Sequence, residues 1–290
     1  MQRILFWLIY PLLWCISKLP FWLLYTLSDG CYVLVYHLIG YRKRTVRHNL
    51  DLAFPDKTNM EKRAIEKRFY HHLCDVFLEM IKTISISEKE LRNRFVFENV
   101  ALSQAYENNN QSFLLILGHY ASYEWINALQ FYMKNTGYGV YKKIKSEPFD
   151  KLAHQIRERW NSVLLQNRRA PKTIAKHQKE GITSTYGFIA DQSPKAGHIK
   201  HYSPFFGHQV PFFTGVERLA KTLDLPIVFM NVRKVSRGHY NARLEVLAEK
   251  PNTFEDYQIT DAFAKALENQ IKEDPAYYLW THKRFKHIKN

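Results

Sequence analysis

Cysteine is scarce in this 290-residue sequence, with Cys15, Cys31 and Cys74 as its only examples and no CxxC spacing. An odd number of widely spaced cysteines excludes a disulfide framework and a paired-cysteine zinc site. The histidine pairs at 71–72 and 198–201 have no third ligand at a zinc-like spacing. We therefore expect no metal, no bound cofactor and a cytosolic catalytic part.

Acidic residues are also few, since 27 Asp and Glu face 42 Lys and Arg, for a formal net charge of +15. Such an excess predicts anionic partners, namely membrane lipid, a phosphorylated substrate, an acidic protein or nucleic acid. Charge alone does not choose among these four. Basic clusters occur at 142–145, 168–172, 233–237 and 283–286, and most of them are expected to be solvated surface.

The first forty residues contain only three charged side chains but have no uninterrupted apolar run of the roughly 20 residues that a clean membrane span needs. Apolar stretches at 4–16, 19–27 and 31–41 are separated by Lys18, Pro20 and a Ser-Asp-Gly step. Three basic residues then follow at 42–44, a position that favours the cytoplasmic side and anionic headgroups. We predict a membrane-anchoring helical segment over 1–41, as a tilted span or an interfacial hairpin, and one catalytic domain over 42–290. A buried helical hairpin of a soluble protein is the alternative.

Apolar runs and helical periodicities alternate along that domain, with no internal repeat or long linker. Strands are predicted at 112–117, 138–141, 185–190, 227–232 and 242–247. Helices are predicted at 59–84, 123–133, 148–165, 171–180, 215–223 and 260–271. This alternation predicts an α/β fold in which helices sandwich a mostly parallel sheet.

A histidine follows the most apolar of these strands. The predicted strand ends at Gly118, His119 comes next, and Glu124 lies five positions further along. Ligand sites of open α/β sheets lie at the carboxyl ends of strands. A carboxylate beside the imidazole would raise its basicity and allow it to take a proton from a hydroxyl, provided the chain turns between the two residues. A polar residue at a strand end and a carboxylate favouring a helix dipole are the structural alternative.

The segment GHYASYEW at 118–125 resembles the H-x4-D/E block of the lysophospholipid acyltransferase superfamily. Further blocks resemble the lipid A biosynthesis branch of that superfamily and occur in its order. They are IADQSP at 189–194, PFFG at 204–207, PFFTG at 211–215, LAKT at 219–222 and YLWTHKRFK at 278–286. The resemblance covers the chain from the basic segment at 42–49 almost to its end.

That resemblance implies a glycerolipid acyltransferase-like fold and transfer of a fatty acyl chain from a thioester on acyl carrier protein. The implied acceptor is a hydroxyl of a phosphorylated glycolipid in the anionic inner membrane, on its cytoplasmic side. His119 and Glu124 are implied to be catalytic, and Asp191 to be a substrate-site residue. Arg159 resembles an arginine of the family that could grip a phosphate or the thioester oxygen; Arg157 is the competing choice.

Thr214 and Gly215 are predicted to start a helix. Thr214 and Glu217 have T-x-x-E spacing, which is typical of a capping box and would leave free amides for an anion or a developing oxyanion. We assign Thr214 and Gly215 to substrate binding, with a plain structural cap as the alternative.

Two other functions remain open on the sequence. Within the acyltransferases, the acceptor could be a glycerophospholipid or another membrane lipid. From a different class, a membrane-tethered nucleic-acid-binding protein would explain the charge, but it would leave the ordered motifs unexplained, and we expect no nucleic-acid partner. Because the sequence has no G-x-S-x-G elbow, direct transfer is favoured over a covalent acyl-enzyme.

Overall fold

A seven-stranded sheet with helices on both faces organises the chain, and the computed structural model describes residues 2–289. The strands of the described part are β1 (Phe95–Phe97), β2 (Phe113–Leu117), β3 (Gly137–Tyr141), β4 (Ser162–Gln166), β5 (Thr185–Ile189), β6 (Tyr202–Phe205), β7 (His208–Pro211), β8 (Ile227–Ser236) and β9 (His239–Ala248). Its α-helices are α1 (Gln2–Lys18), α2 (Phe21–Tyr32), α3 (Lys43–Ala53), α4 (Asn59–Lys82), α5 (Glu88–Arg94), α6 (Val100–Asn108), α7 (Glu147–Arg157), α8 (Ala170–Lys179), α9 (Gly215–Leu223) and α10 (Gln258–Glu273). A π-helix (Val33–Ile39) continues α2, and 3₁₀ helices occupy Ile126–Tyr132, Ala196–His198, Pro251–Thr253 and Pro275–Tyr277.

The strand order is β1-β9-β8-β2-β5-β3-β4, and the five strands from β8 to β4 all run parallel. This confirms the predicted mostly parallel α/β sheet. All five side chains of β2 are buried because helices cover both faces. The register pairs Leu117 with Ile189, so the residues that follow β2 and β5 lie side by side at the carboxyl edge.

Two predicted helices differ from the structure. The predicted helix 123–133 is instead the 3₁₀ helix Ile126–Tyr132. The predicted helix 148–165 was wrong beyond Arg157, because Trp160 and Asn161 both adopt left-handed backbone conformations, with φ of 57° and 58°. Residues with L side chains rarely adopt that conformation within a helix, and the chain continues as the edge strand β4.

The β6–β7 hairpin and β1 were absent from the sequence-based assignment. The hairpin turns at Phe206 and Gly207, where both φ angles are positive at 50° and 74°. Such conformations suit a tight two-residue hairpin turn. Since β1 has three residues and β6 and β7 have four each, these strands are too short for a clear alternating pattern.

No helix among residues 2–289 is both long and apolar enough to cross a bilayer. The apolar N-terminal stretch is divided, since α1 ends at Lys18 and α2 begins at Phe21. Helix α2 packs on α4 through the buried side chain of Leu24 and through a hydrogen bond from the Tyr25 hydroxyl to Glu79. The predicted membrane span is therefore not observed.

Candidate active site

His119 lies at the carboxyl edge of the sheet, and its nearest acidic partner is Asp191. The Nδ1 atom of His119 is 2.6 Å from Oδ1 of Asp191, whose side chain is almost fully buried. Because β2 and β5 are adjacent and in register, the residues that follow them meet across the sheet edge. Glu124 was predicted to pair with the imidazole, but its carboxylate pairs with Arg157 instead.

The loop that carries His119 is held by the C-terminal segment. The amide of Leu279 donates to the carbonyl of His119, and the amide of Ala121 donates to the carbonyl of Tyr277. Ala121 has a φ of 48°, a left-handed conformation that costs a non-glycine residue on the order of 1–3 kcal/mol. The turn predicted between positions 119 and 124 therefore occurs, and its sharpest bend is at Ala121.

Gly118 is constrained by space. A Cβ atom at this position would come within 2.5 Å of a Leu267 side-chain carbon and 3.5 Å of the Asp191 Cβ. A side chain here would require Leu267 on α10 to move, so glycine allows β2 to end close to α10 and to Asp191.

Electrostatics favour a basic imidazole beside an ionised carboxylate. Burial by itself would lower the pKa of His119, but the charge and hydrogen bond of Asp191, with a smaller contribution from Glu124, raise that pKa above its ordinary value. Burial opposes ionisation of Asp191 as well, yet His119 and, secondarily, Arg284 hold the pKa of this carboxyl below its ordinary value. The two groups thus stabilise each other's charged forms.

Glu124 forms a bidentate ion pair with Arg157, with N–O distances of 2.7 Å and 3.0 Å. Both side chains line the same cavity as His119. The carboxylate thus orients a guanidinium group near the imidazole, and it influences His119 through charge at a distance.

Arg159 lies outside this cavity, so its predicted place at the site was wrong. Its guanidinium donates to the carbonyl oxygens of Thr83 and Ile86, just beyond the end of α4, and stacks on Trp160. Carbonyl groups at a helix end need such donors. Arg157, the competing choice from the sequence, is the arginine that lies at the site.

The cavity has a volume of about 660 Å³ and an apolar interior. It reaches from His119 along β3 and β5, where Gly137, Gly139 and Gly187 are among the residues that line it. The Nε2 atom of His119 is 3.5 Å from the side-chain nitrogen of Gln192, and both residues line the cavity. With Nδ1 paired to Asp191, Nε2 is the ring nitrogen left to meet a molecule in that space, and its contact with Gln192 is long.

Helix α9 begins at Gly215 as predicted, but the capping box does not form. The Thr214 side chain makes no capping hydrogen bond. The carboxylate of Glu217 instead accepts hydrogen bonds from the amides of Tyr257 and Thr260 at the start of α10. Gly215 lines the cavity, so the amino end of α9 faces the site without a side-chain cap from Thr214.

Sequence reasoning assigned no role to Arg284, which lies close to Asp191. This arginine is fully buried, donates to the Ser193 hydroxyl and the Pro211 carbonyl, and stacks on Phe212 at 3.9 Å. The charge of Asp191 favours its cationic form, although burial lowers its pKa overall. The only signal in the sequence was its position within the closing motif at 278–286.

Fold and site together define an α/β enzyme with a histidine–carboxylate pair at the carboxyl edge of a parallel sheet, open to an apolar cavity. The pair suits proton transfer, and the cavity suits an aliphatic chain. The chain belongs to the bacterial lipid A biosynthesis acyltransferase family, whose model matches residues 1–287. It is therefore an O-acyltransferase with a lipid acceptor.

Two curated relatives match nearly the whole chain. The lipid A biosynthesis lauroyltransferase of Escherichia coli is 25% identical over 282 residues, which cover 97% of this chain and 90% of that protein. The lipid A biosynthesis acyltransferase of Haemophilus influenzae is 25% identical over 289 residues, with the same shares covered.

Among solved structures, the 1-acyl-sn-glycerophosphate acyltransferase of Thermotoga maritima matches with a TM-score of 0.39 and 15% identity. The match covers 88% of this chain and 97% of that one.

Proposed function

We propose that this protein transfers a fatty acyl chain from acyl carrier protein to a hydroxyl of a lipid A precursor, with His119 as general base. The observation that carries the proposal is the His119–Asp191 pair, whose imidazole lines an apolar cavity, in a chain of this family. Asp191 holds the proton on Nδ1, which leaves Nε2 unprotonated toward the cavity.

In the proposed reaction, Nε2 of His119 takes the proton of the acceptor hydroxyl as its oxygen attacks the thioester carbonyl carbon. The tetrahedral intermediate then collapses, the carbon–sulfur bond breaks, and the imidazolium returns the proton to the leaving thiolate. Acyl group and proton are both accounted for without an acyl-enzyme. The donor thioester and the acceptor are the only further molecules that this scheme requires.

Charge on the thioester oxygen must be neutralised as the intermediate forms. Arg157, oriented by Glu124, and the amino end of α9 at Gly215 border the same cavity as His119. A guanidinium group and free helix amides are suitable donors for such an oxyanion or for an acceptor phosphate. We therefore assign this role to Arg157 and Gly215 and withdraw Arg159 from it.

We further propose that the enzyme works at the cytoplasmic surface of the inner membrane. Large apolar side chains of α1 are exposed, with Trp7 and Leu8 each 72% accessible, and the basic residues Arg42 and Arg44 are exposed shortly after the N-terminal helices. Exposed apolar side chains near basic ones suit an anionic bilayer and a phosphorylated glycolipid within it.

The test compares the mass spectra of lipid A from cells with and without the gene. Loss of a mass equal to one acyl group, restored by the wild-type gene, is the expected result. An unchanged lipid A accompanied by altered glycerophospholipids would overturn the proposed acceptor and favour the glycerophospholipid alternative.

His119→Ala tests the chemistry in the purified enzyme. With acyl carrier protein donor, turnover should fall by about 10²- to 10⁴-fold, while the melting temperature stays close to that of wild type. Wild-type turnover in this variant would rule out His119 as the base. Mass spectrometry of the enzyme after incubation with donor alone should show no added acyl group.

A further inference from the structure

Six cations follow the carboxyl ends of β3 and β4, on the edge of the sheet that carries His119. Three follow β3 and three lie between the end of β4 and the first turn of α8; together they form what we call the basic rim. Its members are Lys142, Lys143, Lys145, Arg168, Arg169 and Lys172. All six are exposed, and Lys142 lines the same cavity as His119.

The basic rim differs from the other basic clusters in having no internal partners. None of its six side chains has an ion pair or hydrogen bond within residues 2–289. In the cluster at 233–237, by contrast, Arg233 pairs with Glu273, and Lys234 and Arg237 pair with Asp75. In the cluster at 283–286, Arg284 is fully buried. The rim is thus a group of uncompensated charges held at one edge of the fold.

We propose that the basic rim is the docking surface for an acidic carrier protein that presents its acyl thioester to the cavity. This inference rests on the proposed function and adds the place of contact. A carrier protein holds its thioester on a flexible arm, so the protein body can bind at the rim while the arm reaches His119 inside the cavity. Unpaired cations at this edge of the sheet would speed the approach of an acidic partner and align it.

An anionic bilayer is the competing occupant, and the distribution of apolar side chains argues against it. Many strongly exposed apolar side chains lie on α1, α2 and the π-helix, including Trp7, Trp22 and Leu38, each at least 70% accessible. Only Ile144, at 38% accessible, lies within the rim sequence itself. A membrane-binding surface combines cations with inserted apolar groups, whereas the rim offers mainly charge.

Two matched double variants separate the effect of where charges are reversed from the effect of changing the net charge. In the first, Lys143→Glu and Lys172→Glu reverse two rim charges, one after β3 and one in the first turn of α8. In the second, Lys134→Glu and Lys179→Glu reverse two exposed lysines at the opposite edge, one before β3 and one at the last residue of α8. Both variants change the net charge equally, and each has one substitution next to β3 and one on α8.

Full-length protein in detergent is assayed with acyl carrier protein donor and with acyl-coenzyme A, which lacks the protein body. The rim variant should raise KM for the carrier-protein donor by about 10-fold, with a weaker salt dependence than wild type and little change in kcat. KM for the coenzyme donor should change much less, and the control variant should behave as wild type.

Equal KM values for the carrier-protein donor in wild type and rim variant would overturn the docking surface. A rim variant that keeps this KM but loses binding to phosphatidylglycerol vesicles would assign the rim to the membrane instead. If wild-type protein uses neither donor with a lipid A precursor, the proposed function itself fails, a result distinct from either of these.

Discussion

At the residue scale, the contact between His119 and Asp191 determines how the imidazole can act. Asp191 raises the pKa of His119 and fixes which ring nitrogen carries the proton. A general base must be unprotonated to accept a proton, so activity should increase as pH rises through the pKa of His119.

Asp191→Asn should lower kcat by about 10²- to 10⁴-fold, because an amide can leave the imidazole in the wrong tautomer. Removing the negative charge also lowers the pKa of His119, so the rising limb of the kcat/KM profile should move to lower pH. Rate measurements across pH check both effects. The control is Asp261→Asn, since Asp261 forms a similar 2.7 Å contact with His201 outside the cavity. An unshifted limb in Asp191→Asn would show that this carboxylate does not tune the base.

Glu79 is a second buried carboxylate, and it contributes to stability. It accepts hydrogen bonds from Tyr25 on α2 and from Tyr240 on β9. Burial raises its pKa from the usual 4.5 to about 7. The folded state therefore holds the proton more tightly than the unfolded state between these pH values. This contribution to stability is fully present below about pH 4.5 and is lost as pH rises through about 7.

Glu79→Gln resembles the protonated side chain at every pH. Its free energy of unfolding should match that of wild type near pH 4 and exceed it at pH 8, by on the order of 3 kcal/mol at most. Denaturant titrations at the two pH values measure the difference. Glu90→Gln, at an exposed carboxylate paired with Arg94, controls for the loss of one negative charge. If the free energies of unfolding of Glu79→Gln and wild type differ by the same amount at both pH values, the raised pKa of Glu79 would be contradicted.

At the element scale, the parallel strands and most helices were predictable, whereas the partners across the sheet were not. Strong apolar runs defined β2, β5 and β8, and the helical start at Gly215 was correct. The His119–Asp191 contact depends on strand order, which places β5 beside β2 although 67 residues separate Leu117 from Thr185. Periodicity within a segment carries no information on such neighbours.

Arg157 and Arg159 are only two positions apart, yet the sequence did not show which of them would lie at the site. Both lie within the predicted helix 148–165, but the observed helix α7 ends at Arg157, so the two side chains have different surroundings. Arg157 enters the cavity beside Glu124, and Arg159 turns to the carbonyl groups of Thr83 and Ile86. Helical spacing alone did not show where the helix would end.

The different surroundings of Arg157 and Arg159 predict opposite outcomes for two matched substitutions. Arg157→Gln should lower kcat by about 10²-fold, as loss of a transition-state donor does, with a small change in melting temperature. Arg159→Gln should keep most of the activity of the folded protein but lower its stability by about 1–3 kcal/mol, because buried carbonyl groups lose their donors. Steady-state kinetics and thermal unfolding of both variants decide the matter. A reversal of the two patterns would return Arg159 to the site.

At the scale of the whole molecule, polar contacts join the N-terminal helices to the rest of the chain. Arg237, at the β8–β9 turn, pairs with Asp29 on α2 and with Asp75 on α4, and Ser28 donates to Asp75. One side of this helical unit is thus fixed to the sheet by ion pairs. Its other side carries exposed leucine and tryptophan side chains, which places an apolar surface on the same rigid body as the cavity.

Membrane attachment through that surface can be separated from folding by substituting exposed side chains. Leu8 and Leu12 are 72% and 60% accessible, whereas Leu24 on α2 is fully buried against α4. The double variant Leu8→Ser and Leu12→Ser should lower partitioning onto phosphatidylglycerol vesicles by about 10-fold or more, since each fully buried leucine is worth about 1.5–3 kcal/mol. Its melting temperature should remain close to that of wild type.

Leu24→Ser should lower the melting temperature and leave vesicle partitioning of the folded protein close to that of wild type. The reason is that it places a hydroxyl in the packed interface between α2 and α4. Vesicle co-sedimentation and thermal unfolding of both proteins provide the comparison. If Leu8→Ser and Leu12→Ser leave vesicle binding unchanged, the exposed face of α1 is not the membrane contact. Attachment would then have to come from charge alone, through residues such as Arg42 and Arg44, and it should disappear at high salt because exposed charges are screened.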